Sequence, residues 1–218
     1  VNMRQSTHVA GNKLSYLIQD PSITSFKIEY TLPRVVNYID AYGQPRIKKG
    51  WNLLSLPVRP YNYKWNVVYP NALNRPYSFF GNGYQEQELV MPGTGYFVKY
   101  SDLVDTKFKG VPMKRITKDI ADDGFKDEVK LYPGWNTIGA LSFEMNVKDI
   151  LFDEFIPGQR IDKNKVLAHG IWGYKTNVGY YEASILEPGL GYWMKSVDGK
   201  HGYLKLIHPE IRRVDDQL

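Results

Sequence analysis

The sequence predicts a mainly β protein: two tandem, related, small β-sandwich-like modules, each with at most one short helix, preceded by an N-terminal strand or arm. Three observations predict this class. The 218 residues include 17 Tyr, 5 Trp, 19 Gly and 13 Pro, a mix that favours strands and tight turns over helices. A Gly-Trp-Asn stretch occurs twice, in "KKGWNLLSLP" (Lys48–Pro57) and "YPGWNTIGAL" (Tyr132–Leu141). A Pro-Gly-x-Gly-aromatic-aromatic-x-Lys stretch follows each of them, as "MPGTGYFVK" (Met91–Lys99) and "EPGLGYWMK" (Glu187–Lys195). Ordered self-similarity of this kind marks a repeated supersecondary unit.

Trp51 aligns with Trp135, 84 positions on, and Gly93 with Gly189, 96 positions on, so the second copy holds 12 extra residues between its landmarks. Insertion between fixed ends is what a loop tolerates and a core strand does not. The expected division is an arm and strand over 1–44, a first module over 45–110, and a second module with a C-terminal strand over 111–218.

Taken in chain order, residues 1–20 show little pattern and read as an extended arm. "SFKIEYTL" (Ser25–Leu32) alternates as a strand does. Each module then opens on its Gly-Trp-Asn strand. Trp51 and Trp135 are expected as core anchors, since burying an aromatic side chain is worth ~2–3 kcal/mol. Asn52 and Asn136 are expected to bond nearby backbone at the strand start.

In copy two, "NVKDILFDEF" (Asn146–Phe155) sets Val147, Ile150 and Leu151 at helical spacing, which predicts a short amphipathic helix with Asn146 as N-cap. Copy one has "WNVVYPNAL" there, broken by Pro70, which predicts a shorter helix or none. An aromatic hairpin follows in each copy. The first is expected to turn at Asn82-Gly83 and the second around Thr176–Gly179. The Pro-Gly-x-Gly glycines are expected at positive φ, launching the last strand. In that strand, alternation puts Tyr96, Val98 and Tyr100 on one face and Phe97 and Lys99 on the other. Further strands are expected at Phe108–Pro112, Glu128–Leu131 and Gly202–Ile211.

Composition limits the function classes. The net charge is +5, from 28 Lys and Arg against 23 Asp and Glu, and the basic residues are scattered. The densest group, Arg46–Lys49, is too short for a nucleic-acid patch, so no nucleic-acid partner is expected. There is no cysteine, which excludes thiol catalysis, thiolate metal sites and disulfides. No run approaches the ~18 consecutive apolar residues of a membrane-spanning helix. The chain begins at Val1 rather than Met, so a processed product or a fragment is expected.

No cofactor or metal is expected either. Gly93-Thr94-Gly95 and Gly189-Leu190-Gly191 lack the third glycine of a dinucleotide fingerprint and lead into strands. His8, His169, His201 and His208 form no i, i+4 pair, and "ADDGFKDE" (Ala121–Glu128) lacks the alternating oxygen ligands of a calcium loop. No Gly-x-Ser-x-Gly element is present, and no Asp or Glu recurs at matching places as a carboxylate pair would. The candidate binding residues are the hairpin aromatics: Tyr77, Phe79 and Tyr84 in copy one, and Trp172, Tyr174, Tyr180 and Tyr181 in copy two. Flat apolar rings stack on sugars or another subunit at little cost in side-chain entropy. Burial of half of each strand in the core is the more common reason for such rings.

The paired motifs resemble a repeat of bacterial secreted and cell-surface proteins of the Bacteroidetes–Chlorobi–Ignavibacteria kind. In that repeat a Gly-Trp-Asn strand precedes Pro-Gly-x-Gly-Tyr-Trp. The resemblance covers residues 47–100 and 130–196. This chain departs from the pattern where Gly139 stands opposite copy one's Ser55, where Phe97 stands for copy two's Trp193, and in lacking a recognisable C-terminal sorting domain. The resemblance implies an extracellular, mainly β module with no recognised catalytic role. The expected function is therefore a non-enzymatic structural or interaction protein, part of a cell-surface protein or a subunit of an extracellular assembly. Its expected partners are copies of itself or cell-surface components. Asn2–Gln19 or Tyr203–Ile207 would join them by β-strand addition. Carbohydrate binding through the hairpin aromatics is the other expectation.

Overall fold

The computed structural model describes residues 9–10, 13–14, 34–37, 47–104, 107–113, 115–116, 129–154, 160–161, 167–197 and 202–207. The protein is mainly β. Strands β1 (Val9–Ala10) and β2 (Lys13–Leu14) pair with each other, and β3 (Arg34–Asn37) precedes the first copy. The strand expected over Ser25–Leu32 lies outside the described residues, as do most of the arm, Ala121–Glu128, His8, His201 and His208.

Copy one comprises β4 (Gly50–Ser55), β5 (Val58–Arg59), the short helix α1 (Trp65–Val68), β6 (Tyr77–Gly81), β7 (Gly83–Glu86) and β8 (Gly95–Tyr100). Strands β9 (Lys107–Pro112), β10 (Arg115–Ile116) and β11 (Val129–Leu131) lead on from it. Copy two has β12 (Gly134–Gly139), β13 (Met145–Asn146), β14 (Leu151–Glu154) and β15 (Arg160–Ile161). It continues through β16 (Trp172–Lys175), β17 (Gly179–Glu182), β18 (Ile185–Leu186) and β19 (Gly191–Ser196), and β20 (Gly202–Ile207) follows.

The two motifs of each copy form one ladder, in the same register in both. In copy one Gly50 through Ser55 face Tyr100 through Gly95, and in copy two Gly134 through Gly139 face Ser196 through Gly191. The asparagine fixes where the ladder starts. Asn52 Nδ2 donates to the carbonyls of Lys48 (2.8 Å) and Gly50 (3.0 Å), while Oδ1 accepts from Lys48 N–H (3.0 Å). Asn136 makes the same three bonds to Tyr132 and Gly134, at 2.8, 3.0 and 2.9 Å. Each ladder begins on a glycine at positive φ, Gly50 at 102° and Gly134 at 86°. The tyrosine of Pro-Gly-x-Gly-Tyr closes the other motif. Its hydroxyl oxygen accepts from the backbone N–H just before the proline, Met91 to Tyr96 and Glu187 to Tyr192, both at 2.7 Å.

The copies are not side by side. They share one sheet, in which β6 pairs with β8 of its own copy at Tyr77–Phe97 and with β12 of the other at Phe80–Asn136 and Gly81–Trp135. Its counterpart β16 pairs with β19 at Trp172–Trp193 and reaches β4 through Thr176, whose Oγ1 donates to the Trp51 carbonyl at 2.8 Å. The strands β4, β8, β6, β12, β19 and β16 therefore follow one another around an approximate internal two-fold axis. Hairpin strands β7 and β17 stand outside this ring, and among the described residues each pairs only to its own hairpin partner.

The Pro-Gly-x-Gly turns lock the copies together. Gly93 and Gly189 adopt φ of 78° and 82°, as a strand-launching turn requires. Their carbonyls accept from the opposite copy, Gly93 from Gly139 N–H and Gly189 from Ser55 N–H, both at 2.7 Å. The second glycines serve close approach instead. A Cβ on Gly95 would sit 2.6 Å from the Ile138 carbonyl oxygen, and one on Gly191 would sit 2.8 Å from that of Leu54. The Ser55/Gly139 departure has its cause here. The two residues meet near the axis, and a Cβ on Gly139 would lie 2.6 Å from Ser55 Cβ. Only one of the pair can carry a side chain.

Each copy keeps its own core on the inner side of its ladder. Leu54, Tyr96, Val98 and Tyr100 pack with Val58, Tyr69 and Phe108, beneath a sheet of order β3-β9-β5. Ile138, Tyr192 and Met194 pack with Leu131, Phe152, Leu204 and Leu206, beneath a five-stranded sheet centred on β20. The expected alternation holds: Tyr96, Val98 and Tyr100 are buried in the core, and Phe97 lies on the other face.

Three expectations are corrected. Asn146–Phe155 is not a helix: Val147–Asp149 makes one 3₁₀ turn without a side-chain cap from Asn146, and Leu151–Glu154 then forms β14. Pairing with β20 and burial of Phe152 outweigh a helical spacing of only three apolar residues. The first hairpin turns one residue early, at Gly81-Asn82, because Phe80 faces Gly83 and Gly81 takes the positive φ (63°). The last strand, Tyr203–Ile207, is not free to join a neighbour. β14 occupies one edge of β20, and β10 and β11 occupy the other.

Candidate functional site: a duplicated aromatic face

The Trp of Gly-Trp-Asn does not anchor a core. Trp51 is 39% exposed and Trp135 is half-buried. Strand alternation explains the correction. Asn52 and Leu54 point to the core side of the ladder, so Trp51 must point to the opposite face, and Trp135 follows Asn136 and Ile138 in the same way. The buried asparagine was the available signal: a side chain clasping backbone at the core side sends its neighbour outward.

That opposite face is aromatic and duplicated. In copy one Trp51 packs against Tyr77 (ring centroids 6.3 Å apart), and Phe97 meets Tyr174 of copy two at 5.9 Å. In copy two Trp135 packs edge-on to Trp193 (5.9 Å), and Trp193 meets Phe79 of copy one at 5.1 Å. Phe97 and Trp193 approach across the axis at 5.9 Å. Tyr84 stacks edge-on against Phe79 at 5.0 Å, as Tyr180 leans on Tyr174 at 5.2 Å. Copy one thus lends one hairpin ring, Phe79, to the other copy's groove, and copy two lends two, Tyr174 and Tyr180.

Two grooves result. Phe79, Trp135, Trp172, Tyr180 and Trp193 enclose one of about 420 Å³. Trp51, Tyr77, Tyr84, Phe97, Tyr174 and Tyr180 enclose one of about 510 Å³. Tyr180 lines both, so the grooves adjoin. Tyr84 and Tyr180 stand highest, 56% and 59% exposed. The Trp193 indole N–H is buried and has no acceptor among the described residues, and the floor presented to the groove is made of aromatic rings.

Polar groups sit at the rim. In each copy a lysine faces the tryptophan across the ladder, Lys99 opposite Trp51 and Lys195 opposite Trp135. Lys99 Nζ lies 5.7 Å from the Trp51 ring centroid, within cation–π range. A glutamate faces the first hairpin ring, Glu86 opposite Tyr77 and Glu182 opposite Trp172, so one acidic residue does recur at matching places, against the expectation from the sequence. The Tyr77 hydroxyl donates to Glu86 Oε1 at 2.8 Å, and this bond to the neutral phenol raises the Tyr77 pKa. Partial burial, then the nearby Tyr180, raise that of Tyr84.

Six of the seven aromatic residues singled out in the sequence, Tyr77, Phe79, Tyr84, Trp172, Tyr174 and Tyr180, line this face. Tyr181 does not. It packs against copy two's core beneath Gly173, where an added Cβ would meet its ring at 2.3 Å, with Lys175 Nζ 4.8 Å from that ring. Adjacent residues of a strand point to opposite faces, so Tyr180 and Tyr181 cannot serve one surface. Trp51, Phe97, Trp135 and Trp193 complete the grooves.

Among the described residues no three His, Asp or Glu side chains group as metal ligands, and no helix is long and apolar enough to cross a membrane. A scan against protein-family models and searches of curated proteins and of solved structures return no match to this chain.

Proposed function

We propose that the protein is a non-enzymatic interaction protein of extracellular structures, and that the duplicated aromatic face is its contact surface. One observation carries the reading: two adjoining exposed aromatic grooves on a face that neither core uses. Large contiguous apolar surfaces on soluble proteins mark interaction sites, and Trp and Tyr dominate the energetics of such contacts. The extracellular setting rests on the resemblance of the repeat to secreted and cell-surface proteins. Among the described residues, strands β7 and β17 are edge strands flanking the face, where a partner's strand could be added.

Glycan binding is the second reading, favoured by the three tryptophans of one groove and the upstanding Tyr180. Tryptophan emission tests the proposal, read in a dilution series of the purified chain and in titrations with neutral and acidic glycans. An emission change in at least one arm is expected, and Tyr84→Ser with Tyr180→Ser should abolish it. A flat response in every arm refutes the contact surface. A response confined to one glycan establishes the second reading.

A further inference from the structure

We infer that the aromatic face docks on the same face of a second copy of this chain. This inference rests on the reading of that face as a contact surface and names its occupant. The rim charges supply the reason. Around the ring of strands, Lys99 on β8 is followed by Glu86 on β7, then Lys195 on β19, then Glu182 on β17. The order is plus, minus, plus, minus, and the internal two-fold exchanges lysine with lysine and glutamate with glutamate. Lys99, Glu86 and Glu182 are exposed and Lys195 is half-buried.

Such a face is complementary to itself. Consider a two-fold axis lying in the face and running midway between a lysine and the next glutamate. Rotation about it brings a second copy face to face and sets its lysines over the first copy's glutamates. The internal symmetry then makes all four opposite-charge pairs form at once. A closed two-fold contact of this kind is isologous and finite, so it ends at the dimer. The balanced rim argues against a strongly charged partner, and the apolar floor matches an identical apolar surface. Trp51, Tyr84 and Tyr180, exposed in the single chain, become the buried centre, with the four ion pairs as a rim that fixes orientation.

Charge exchange provides the test. Sedimentation velocity is run on the full chain, on Lys99→Glu/Lys195→Glu, on Glu86→Lys/Glu182→Lys, and on an equal mixture of the two variants. All four sites lie on the rim, and far-ultraviolet circular dichroism checks that the fold is kept. The wild type should dimerise. Each variant alone brings like charges together and should self-associate about a hundredfold more weakly. The mixture should recover a heterodimer within about tenfold of the wild-type affinity. A monomeric wild type overturns the inference, as does unchanged self-association in either variant or a mixture that stays monomeric. If the wild type is monomeric while its tryptophan emission answers a glycan, the second copy is refuted and the contact surface stands.

Discussion

The two copies are built alike where they touch each other and differently where they do not. The six-residue ladder, the asparagine clasp, the tyrosine closure and the cross-copy turn recur with distances that agree to 0.1 Å. Between ladder and hairpin they diverge. Copy one crosses with α1 and packs beneath β3, β9 and β5, whereas copy two inserts β14 and β15, which join β20. The backbone bonds between the copies recur even where the side chains differ, as at Ser55 and Gly139, whereas the segments that fill each private core change element type.

The largest effect should come from breaking the one place where the copies must differ. Gly139→Ser puts a second Cβ against Ser55 and the Thr94 carbonyl, and should cost ~3 kcal/mol or more. Exchanging the pair, Ser55→Gly with Gly139→Ser, removes the Ser55 contact but keeps the Thr94 carbonyl, and should recover part of this loss in urea unfolding. A double variant as unstable as the single one would show that the axis is not a true equivalence. Next in size, Asn52→Ala and Asn136→Ala each remove a three-bond clasp and should cost about 2 kcal/mol apiece. Unequal losses would mean that one copy carries the fold.

Tyr96→Phe and Tyr192→Phe leave a backbone N–H without its acceptor and should each cost about 1–2 kcal/mol. They also carry a pH signature. Burial raises both hydroxyls above the ordinary pKa of 10.0, so the unfolded chain ionises first. Stability contributed by the neutral hydroxyls is complete below pH 10 and falls as pH rises beyond it. Unfolding midpoints measured from pH 8 to 11 should decline less steeply in either Phe variant. The smallest change is expected at the grooves: Trp51→Ala should cost about 1 kcal/mol or less and the less exposed Trp135→Ala somewhat more, by the same urea assay.

The mainly β class was legible because glycine, proline and asparagine report local backbone demands such as turns and strand starts. The asparagine clasp and the alternation of Tyr96, Phe97 and Val98 came from that source. The helix over Asn146–Phe155 failed because its residues answer to β20, some fifty positions on in the chain. The tryptophans failed as core anchors for a related reason: which face of a ladder is the core depends on what packs there. The aromatic face was half visible. Hairpin rings stood out in the sequence, while Phe97 and Trp193 read as ordinary strand residues until β6 and β16 were seen to cross between copies.

The carbonyls of Gly93 and Gly189 each serve a repeat other than their own, and a repeat cut out alone would have nothing to accept from. A lone repeat would have to find a twin in solution, and its folding would then depend on dilution. Joining two repeats in one chain replaces that search with a tether. The partner is always present at the effective concentration set by the linking segment. The chain is in this sense a dimer whose dissociation has been made impossible, and its outer faces are left free for a second level of association.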